Sequence, residues 1–336
     1  MVGKKHILTP VTILFSISLL AQTTPPQEHS FKLDVRVVVA DVQVVGTKTR
    51  AVIAGLQPPD FELYEDGVKQ RITSSSQDEF PLSVVFLFDL TDSVQPVLRS
   101  LGGEALSALQ HLKPGDEVAV MTYSASAHLL QDFTTDRDLA AAAIRKASAV
   151  SSEEAAFFNE GLFQAARQFT YSHSPENRHV VVWLTDNVPN IPSEEVRRRY
   201  GRSIAAENLH TEADAMAELL RQNATVYTFL QASEISDRMS LSRDAGTILQ
   251  SLQHPPGSVY KYSAQTGGQV VDATGKKFEL LLTGLIDQIR ARYSLIYHPS
   301  VPQPEGKLCR IRVKLAPGVL QREGKITVRV KQGYYR

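Results

Sequence analysis

The chain has 336 residues, 36 Lys+Arg against 36 Asp+Glu, and 43% hydrophobic residues. That composition excludes a wholly disordered chain, which needs low hydrophobicity and high net charge, and at roughly 100–200 residues per domain it predicts about two domains. Neutrality argues against a nucleic-acid partner, whose phosphates call for a basic face. The single cysteine, Cys309, excludes an internal disulfide and a thiolate zinc site.

Residues 2–6 are short and basic, residues 7–21 are apolar without a charge, and the polar stretch QTTPPQEHS follows. This is the order of a secretory signal peptide over 1–21, with Ala21 the last residue before cleavage. The alternative is an uncleaved N-terminal anchor. The apolar run is shorter than the roughly 20 residues a membrane-spanning helix needs. The expectation is an exported protein, periplasmic or extracellular, with no stable transmembrane span once the signal is cleaved.

The N-terminal β segment, 30–78, carries no helical pattern. Residues 31–45 alternate apolar and polar side chains, which predicts a strand or two. Short strands follow at Phe61–Tyr64 and Lys69–Thr73, joined by the tight turn Glu65-Asp66-Gly67.

An α/β domain is expected over 80–291. PLSVVFLFD at 81–89 is an almost unbroken apolar run ending in an acid, as suits a strand buried on both faces of a parallel sheet. A helix follows at about 96–112, a strand at Glu117–Tyr123, an edge-like strand at 128–133, and helices at about 136–147 and 156–170. RHVVVWLTD at 178–186 repeats the design of the first strand, with Trp183 in its apolar run. Helix 211–222 with strand Thr225–Leu230, helix 258–266 with strand Gln269–Asp272, and helix 276–291 complete the alternation. Such alternation implies a doubly wound, mostly parallel sheet with helices on both faces. The polar stretch 189–210 reads as a surface excursion, and Gly267-Gly268 as the C-terminal turn of a helix.

Residues 292–336 return to β character, with breaks at Pro299–Pro302 and Pro317-Gly318. Neither terminal β segment is large enough to hold a core alone. The expectation is that 292–336 pairs with 30–78 into one β-sandwich-like domain, with the α/β domain inserted in it.

In open α/β sheets, ligands bind beyond the carboxyl ends of the strands. Two strands here end in an acid at that edge, Asp89 and Asp186. The run Asp89-Leu90-Thr91-Asp92-Ser93 places a carboxylate and two hydroxyls at alternate positions, so three oxygens can face one point. That donor set suits a hard divalent cation such as Mg²⁺, which fills its remaining positions with water. A helix N-cap accounts for Asp92 or Ser93 equally well, and a turn with Asn187 for Asp186. The nine histidines show no metal-ligand spacing, and no G-x-S-x-G elbow or Walker loop is present.

These residues resemble the von Willebrand factor type A domain and its metal-ion-dependent adhesion site. DLTDS at 89–93 looks like the D-x-S-x-S element of that site, with Thr91 in place of the first serine, and LTD at 184–186 resembles its final acidic element. The loop threonine of that site falls at or beside Ala155, and Asn187 stands where a glycine often follows the final acid. DFELYEDGVKQRI at 60–72 and the closing GYYR extend the likeness to secreted bacterial proteins of the acidobacterial type, in which β segments flank the A domain.

The resemblance implies Asp89, Thr91 and Ser93 as direct ligands of Mg²⁺ or Mn²⁺ and Asp186 as a second carboxylate. Asp92, Glu153 and Glu154 are auxiliary candidates, one of the glutamates or water replacing the missing threonine. It implies a protein-interaction module of adhesion type, whose protein ligand supplies an acidic group to the cation, and no enzymatic activity. Two other readings remain: an exported metal-dependent hydrolase using the cation to activate water, and a metal-independent structural envelope protein.

Overall fold

The computed structural model describes residues 37–77, 80–152, 156–187, 210–231 and 258–336. The signal segment, Glu153, Glu154, Ala155 and the stretch 188–209 lie outside the described residues.

Before the α/β domain come β1 (Val38–Gly46), β2 (Phe61–Glu65), β3 (Val68–Gln70) and β4 (Ile72–Gln77). Asp66 and Gly67, between β2 and β3, both have positive φ, which an Asp-Gly pair accepts at little cost. The α/β domain opens with β5 (Leu82–Asp89), in which every residue is buried. It continues with α1 (Gln95–Leu109), β6 (Glu117–Tyr123), β7 (Ala127–Thr134), α2 (Arg137–Ser148), α3 (Phe158–Gln168) and β8 (Arg178–Thr185). Then come α4 (Glu212–Arg221), β9 (Thr225–Leu230), α5 (Val259–Gln265), β10 (Val270–Asp272) and α6 (Phe278–Arg290). The chain closes with β11 (Tyr293–Tyr297), β12 (Leu308–Leu315), α7 (Pro317–Glu323), β13 (Ile326–Val330) and β14 (Gly333–Tyr335).

The central sheet runs β10-β9-β8-β5-β6-β7, parallel except for the antiparallel edge strand β7. Alternate residues of β5 face opposite layers, as the two-residue period of a strand requires. Val84, Phe86 and Phe88 pack with Leu98, Ile144 and Ile286 of α1, α2 and α6. Val85 and Leu87 pack with Leu162, Leu219 and Tyr262 of α3, α4 and α5. From β5 the chain builds outward first through β6 and β7, then on the other side through β8, β9 and β10. The order therefore reverses between β5 and β8, and their carboxyl ends flank the switch point.

The flanking strands form two antiparallel sheets, β13-β1-β11-β4 and β14-β12-β2-β3. Val42 and Leu295 of the first share a core with Leu63 and Val313 of the second, and the rings of Phe61 and Tyr293 meet edge-on at 5.2 Å. Two runs that read as single strands are divided between the sheets. The chain passes from β3 to β4 at Arg71, and from β13 to β14 across Lys331-Gln332. A strand turning a corner of a two-sheet packing keeps its apolar alternation while changing partners, so periodicity does not mark the break. The Pro317-Gly318 break starts the short helix α7, where proline at the first position costs no hydrogen bond.

Two buried arginines tie the sandwich to the α/β domain. Arg178 donates to Ile289 O (3.0 Å) and Ser294 Oγ (2.6 Å) and pairs with Asp41 at 3.2 Å. Arg292 donates to Tyr227 Oη (3.0 Å), Gly267 O (2.8 Å) and Asp41 O (2.8 Å). Among the described residues, no helix is long and apolar enough to cross a membrane.

Candidate metal centre at the sheet switch point

β5 ends in Asp89, and the chain turns at once. Leu90 N–H donates to Tyr123 O at the end of β6 (3.1 Å), while Leu90 O accepts from Ser152 N–H (2.8 Å). Val94 N–H closes a turn on Thr91 O (3.0 Å), and α1 begins one residue later. This path holds Asp89, Thr91 and Ser93 over the strand end.

Asp89 is wholly buried. Its Oδ1 accepts the Thr91 N–H at 3.0 Å, and its Oδ2 accepts the hydroxyls of Tyr123 and Thr185, each at 2.9 Å. Tyr123 Oη in turn accepts the Trp183 indole N–H at 3.0 Å. One phenol has one proton, so a line runs from Trp183 through Tyr123 to Asp89.

Asp186, the residue after β8, is also buried. Its Oδ2 accepts the Ser93 hydroxyl, and Ser93 Oγ lies 3.3 Å from Thr91 Oγ1. Burial, and after it the negative charge of Asp186, push the Asp89 carboxyl up to about 7 against the pull of its three hydrogen bonds. Burial and the neighbouring Asp89 also raise the Tyr123 phenol, keeping it a donor.

The fold thus gathers Asp89, Thr91, Ser93 and Asp186 at one place. Asp92 is exposed beside them. Asn187 has φ +58°, the left-handed region. A glycine adopts that backbone freely, and asparagine is among the few other residues that tolerate it. The Gly-to-Asn departure therefore preserves the turn after the final acid. Tyr123, Trp183 and Thr185 form the support behind Asp89, and strand composition alone did not single them out. The usable signal was position: Tyr123 stands level with Asp89 in the β5–β6 register, at the same sheet edge.

The donor set is all oxygen, two carboxylates and two hydroxyls, which fits a hard divalent cation and not a thiolate- or imidazole-seeking metal. Among the described residues no cluster of three or more His, Cys, Asp or Glu is placed to hold a metal. A cation held here would depend on hydroxyls and water for the rest of its shell and would keep much of its positive charge.

Residues 84–188 match the family profile described as the von Willebrand factor type A domain. Solved structures similar to the chain include the vWF domain of the type V pili tip protein Mfa5 from Porphyromonas gingivalis, at 21% identity over 34% of this chain and 43% of that one, TM-score 0.29. Another is the von Willebrand factor type A protein from Catenulispora acidiphila, at 11% identity over 91% of this chain and 74% of that one, TM-score 0.41. A third is proximal thread matrix protein 1 from the mussel byssus, with a zinc-occupied MIDAS motif, at 12% identity over 63% and 48%, TM-score 0.38. The chain spans less than half the length of the Mfa5 domain it matches. No curated protein matches it. The matched residues, 84–188, run from β5 through β8, so the part of the α/β unit that carries Asp89 and Asp186 is the part similar to the von Willebrand factor type A domain.

Proposed function

We propose that this protein is an exported interaction module whose recognition surface is the sheet edge at Asp89. Asp89, Thr91 and Ser93 hold Mg²⁺ or Mn²⁺ with Asp186 as the second carboxylate, and an acidic side chain of a protein ligand completes the shell. The observation that carries this reading is the hydrogen-bonded grouping of those four side chains at the switch point. A cation with few formal negative charges around it remains attractive to an incoming carboxylate. The basic-then-apolar run at 2–21 supports export. Hydrolysis needs a general base and a group to orient substrate beside the metal. The exposed Asp92 is the nearby described acid outside the ligand set, and the reading here is accordingly non-enzymatic.

The test is thermal unfolding with and without metal. For a cation of about 0.1 mM affinity, 10 mM Mg²⁺ or Mn²⁺ contributes about 3 kcal/mol, a rise of several degrees that Asp89→Ala abolishes. An unmoved wild-type melting curve refutes the metal site. Metal-dependent capture of a carboxylate-rich protein, lost in Asp89→Ala, tests the interaction itself.

A further inference from the structure

A second candidate site lies at the junction with the sandwich. β1 pairs with β11 along Val38–Val42 but with β13 only along Val42–Gly46. On the β13 side, the edge of Val38–Asp41 therefore carries no strand among the described residues, although Asp41 O at its end already accepts from Arg292 at 2.8 Å, which leaves Val38–Ala40 for pairing. The chain that would continue there departs at Lys331-Gln332 to enter the other sheet. A cavity of about 360 Å³ occupies the gap, lined by Val37–Asp41, Arg178, His179, Asn223, Lys331 and Tyr335 among others. That volume is at the small end for a ligand pocket.

The polar groups of this cavity are unevenly satisfied. Lys331 is 7% exposed, and its ammonium donates to Asn223 Oδ1, a neutral acceptor and its one hydrogen-bond partner among the described residues. Asp41 is committed elsewhere, to Arg178 at 3.2 Å and Ser294 Oγ at 2.8 Å. Glu176, also on the lining, is exposed. An ammonium has three protons to donate, and a buried one whose neighbouring carboxylate, Asp41, is already paired with Arg178 is costly. Burial accordingly lowers the Lys331 ammonium to about 7, with Arg292 adding to the effect and Asp41 opposing it. On the same wall, His179 Nδ1 donates to Gln222 O, which leaves its buried Nε2 an unpaired acceptor.

We propose that the cavity binds the free carboxyl end of an extended peptide, which pairs with the open edge of β1 and sets its terminal carboxylate on Lys331. The open strand edge supplies backbone pairing, the mode in which sheets capture peptides in general, and Lys331 supplies the charge that selects a chain end over a chain middle. The site is independent of the metal-site reading and stands at the other end of the α/β domain, beside the start of β8 rather than its finish.

The experiment is saturation-transfer NMR on the full chain with a pool of N-acetylated tripeptides, once as free acids and once as C-terminal amides. The expected result is signal from the acid pool, at least tenfold weaker signal from the amide pool, and loss of the acid signal in Lys331→Met. Asp89→Ala keeps the acid signal, which separates this site from the metal centre. Absence of acid-pool signal, equal signal from the two pools, or undiminished signal in Lys331→Met overturns the proposal. The acid-to-amide comparison is made on the wild-type chain in EDTA, where no cation can hold a carboxylate at Asp89, so an acid preference there supports the Lys331 site and its absence overturns it even if a variant folds poorly.

Discussion

Lys331→Met isolates the energetic consequence of placing an ammonium at the sandwich junction. In the folded chain Lys331 titrates near 7, against an ordinary 10.5. Each unit of that gap is worth about 1.4 kcal/mol. Between the two values the unfolded chain holds a proton that the folded chain lacks, so stability rises with pH through this window. The buried ammonium therefore costs about 5 kcal/mol below pH 7 and about 2 kcal/mol at pH 9, a change of about 3 kcal/mol. Methionine keeps the length of the side chain and has no proton to lose. The charged and titratable groups around it, Asp41, Glu176, Arg178, His179, Arg221 and Arg292, are the same in both chains. The assay is urea unfolding of wild type and variant at pH 6 and pH 9. Lys331→Met is expected to be the more stable at pH 6, with its advantage shrinking by about 3 kcal/mol at pH 9. A difference that stays constant between the two pH values, or that grows with pH, refutes the reasoning.

Three further substitutions probe the junction and the support behind Asp89. Gly267 has φ +78°, and a Cβ there would lie 2.5 Å from Lys331 N, so Gly267→Ala should lower stability by more than about 2 kcal/mol; an unchanged urea midpoint would contradict this contact. Arg178→Met leaves Asp41 without its cation and should cost about 3–5 kcal/mol, read as a lower midpoint. Tyr123→Phe removes a hydrogen bond to Asp89 and leaves the Trp183 indole N–H unpaired, a loss of about 1–3 kcal/mol. Metal titration of the same variant should show weaker Mg²⁺ stabilisation, because Asp89 has lost one of the groups that orient it.

The α/β alternation is legible in the sequence because each strand or helix shows its own period. β5 and β8 read as buried runs, and α1 to α6 fall within a few residues of their expected bounds. The terminal segments are harder. β3 and the start of β4 read as one short strand, and β13 and β14 as another, and only tertiary pairing decides where each crosses between sheets. At the site, Asp89, Thr91, Ser93 and Asp186 are visible as strand-end oxygens. Tyr123 and Trp183 are not, because an aromatic in an apolar strand reads as core until its polar atom is seen to meet a carboxylate. The significance of Asn187 likewise lies in its backbone angle and not in its residue type.

The two chain connections between sandwich and α/β domain leave from neighbouring strands. β4 ends at Gln77 and β11 begins at Tyr293, and these two residues face each other in an antiparallel pair. Gln77 Nε2 also donates to Ala291 O at 2.9 Å, clasping the exits together. A pull applied to the α/β domain would thus load both strands at the same end and draw them lengthwise out of their sheet. β11 is held along its other side by five paired positions on β1. Its ladder would be loaded in shear, where the hydrogen bonds must yield together and not one at a time.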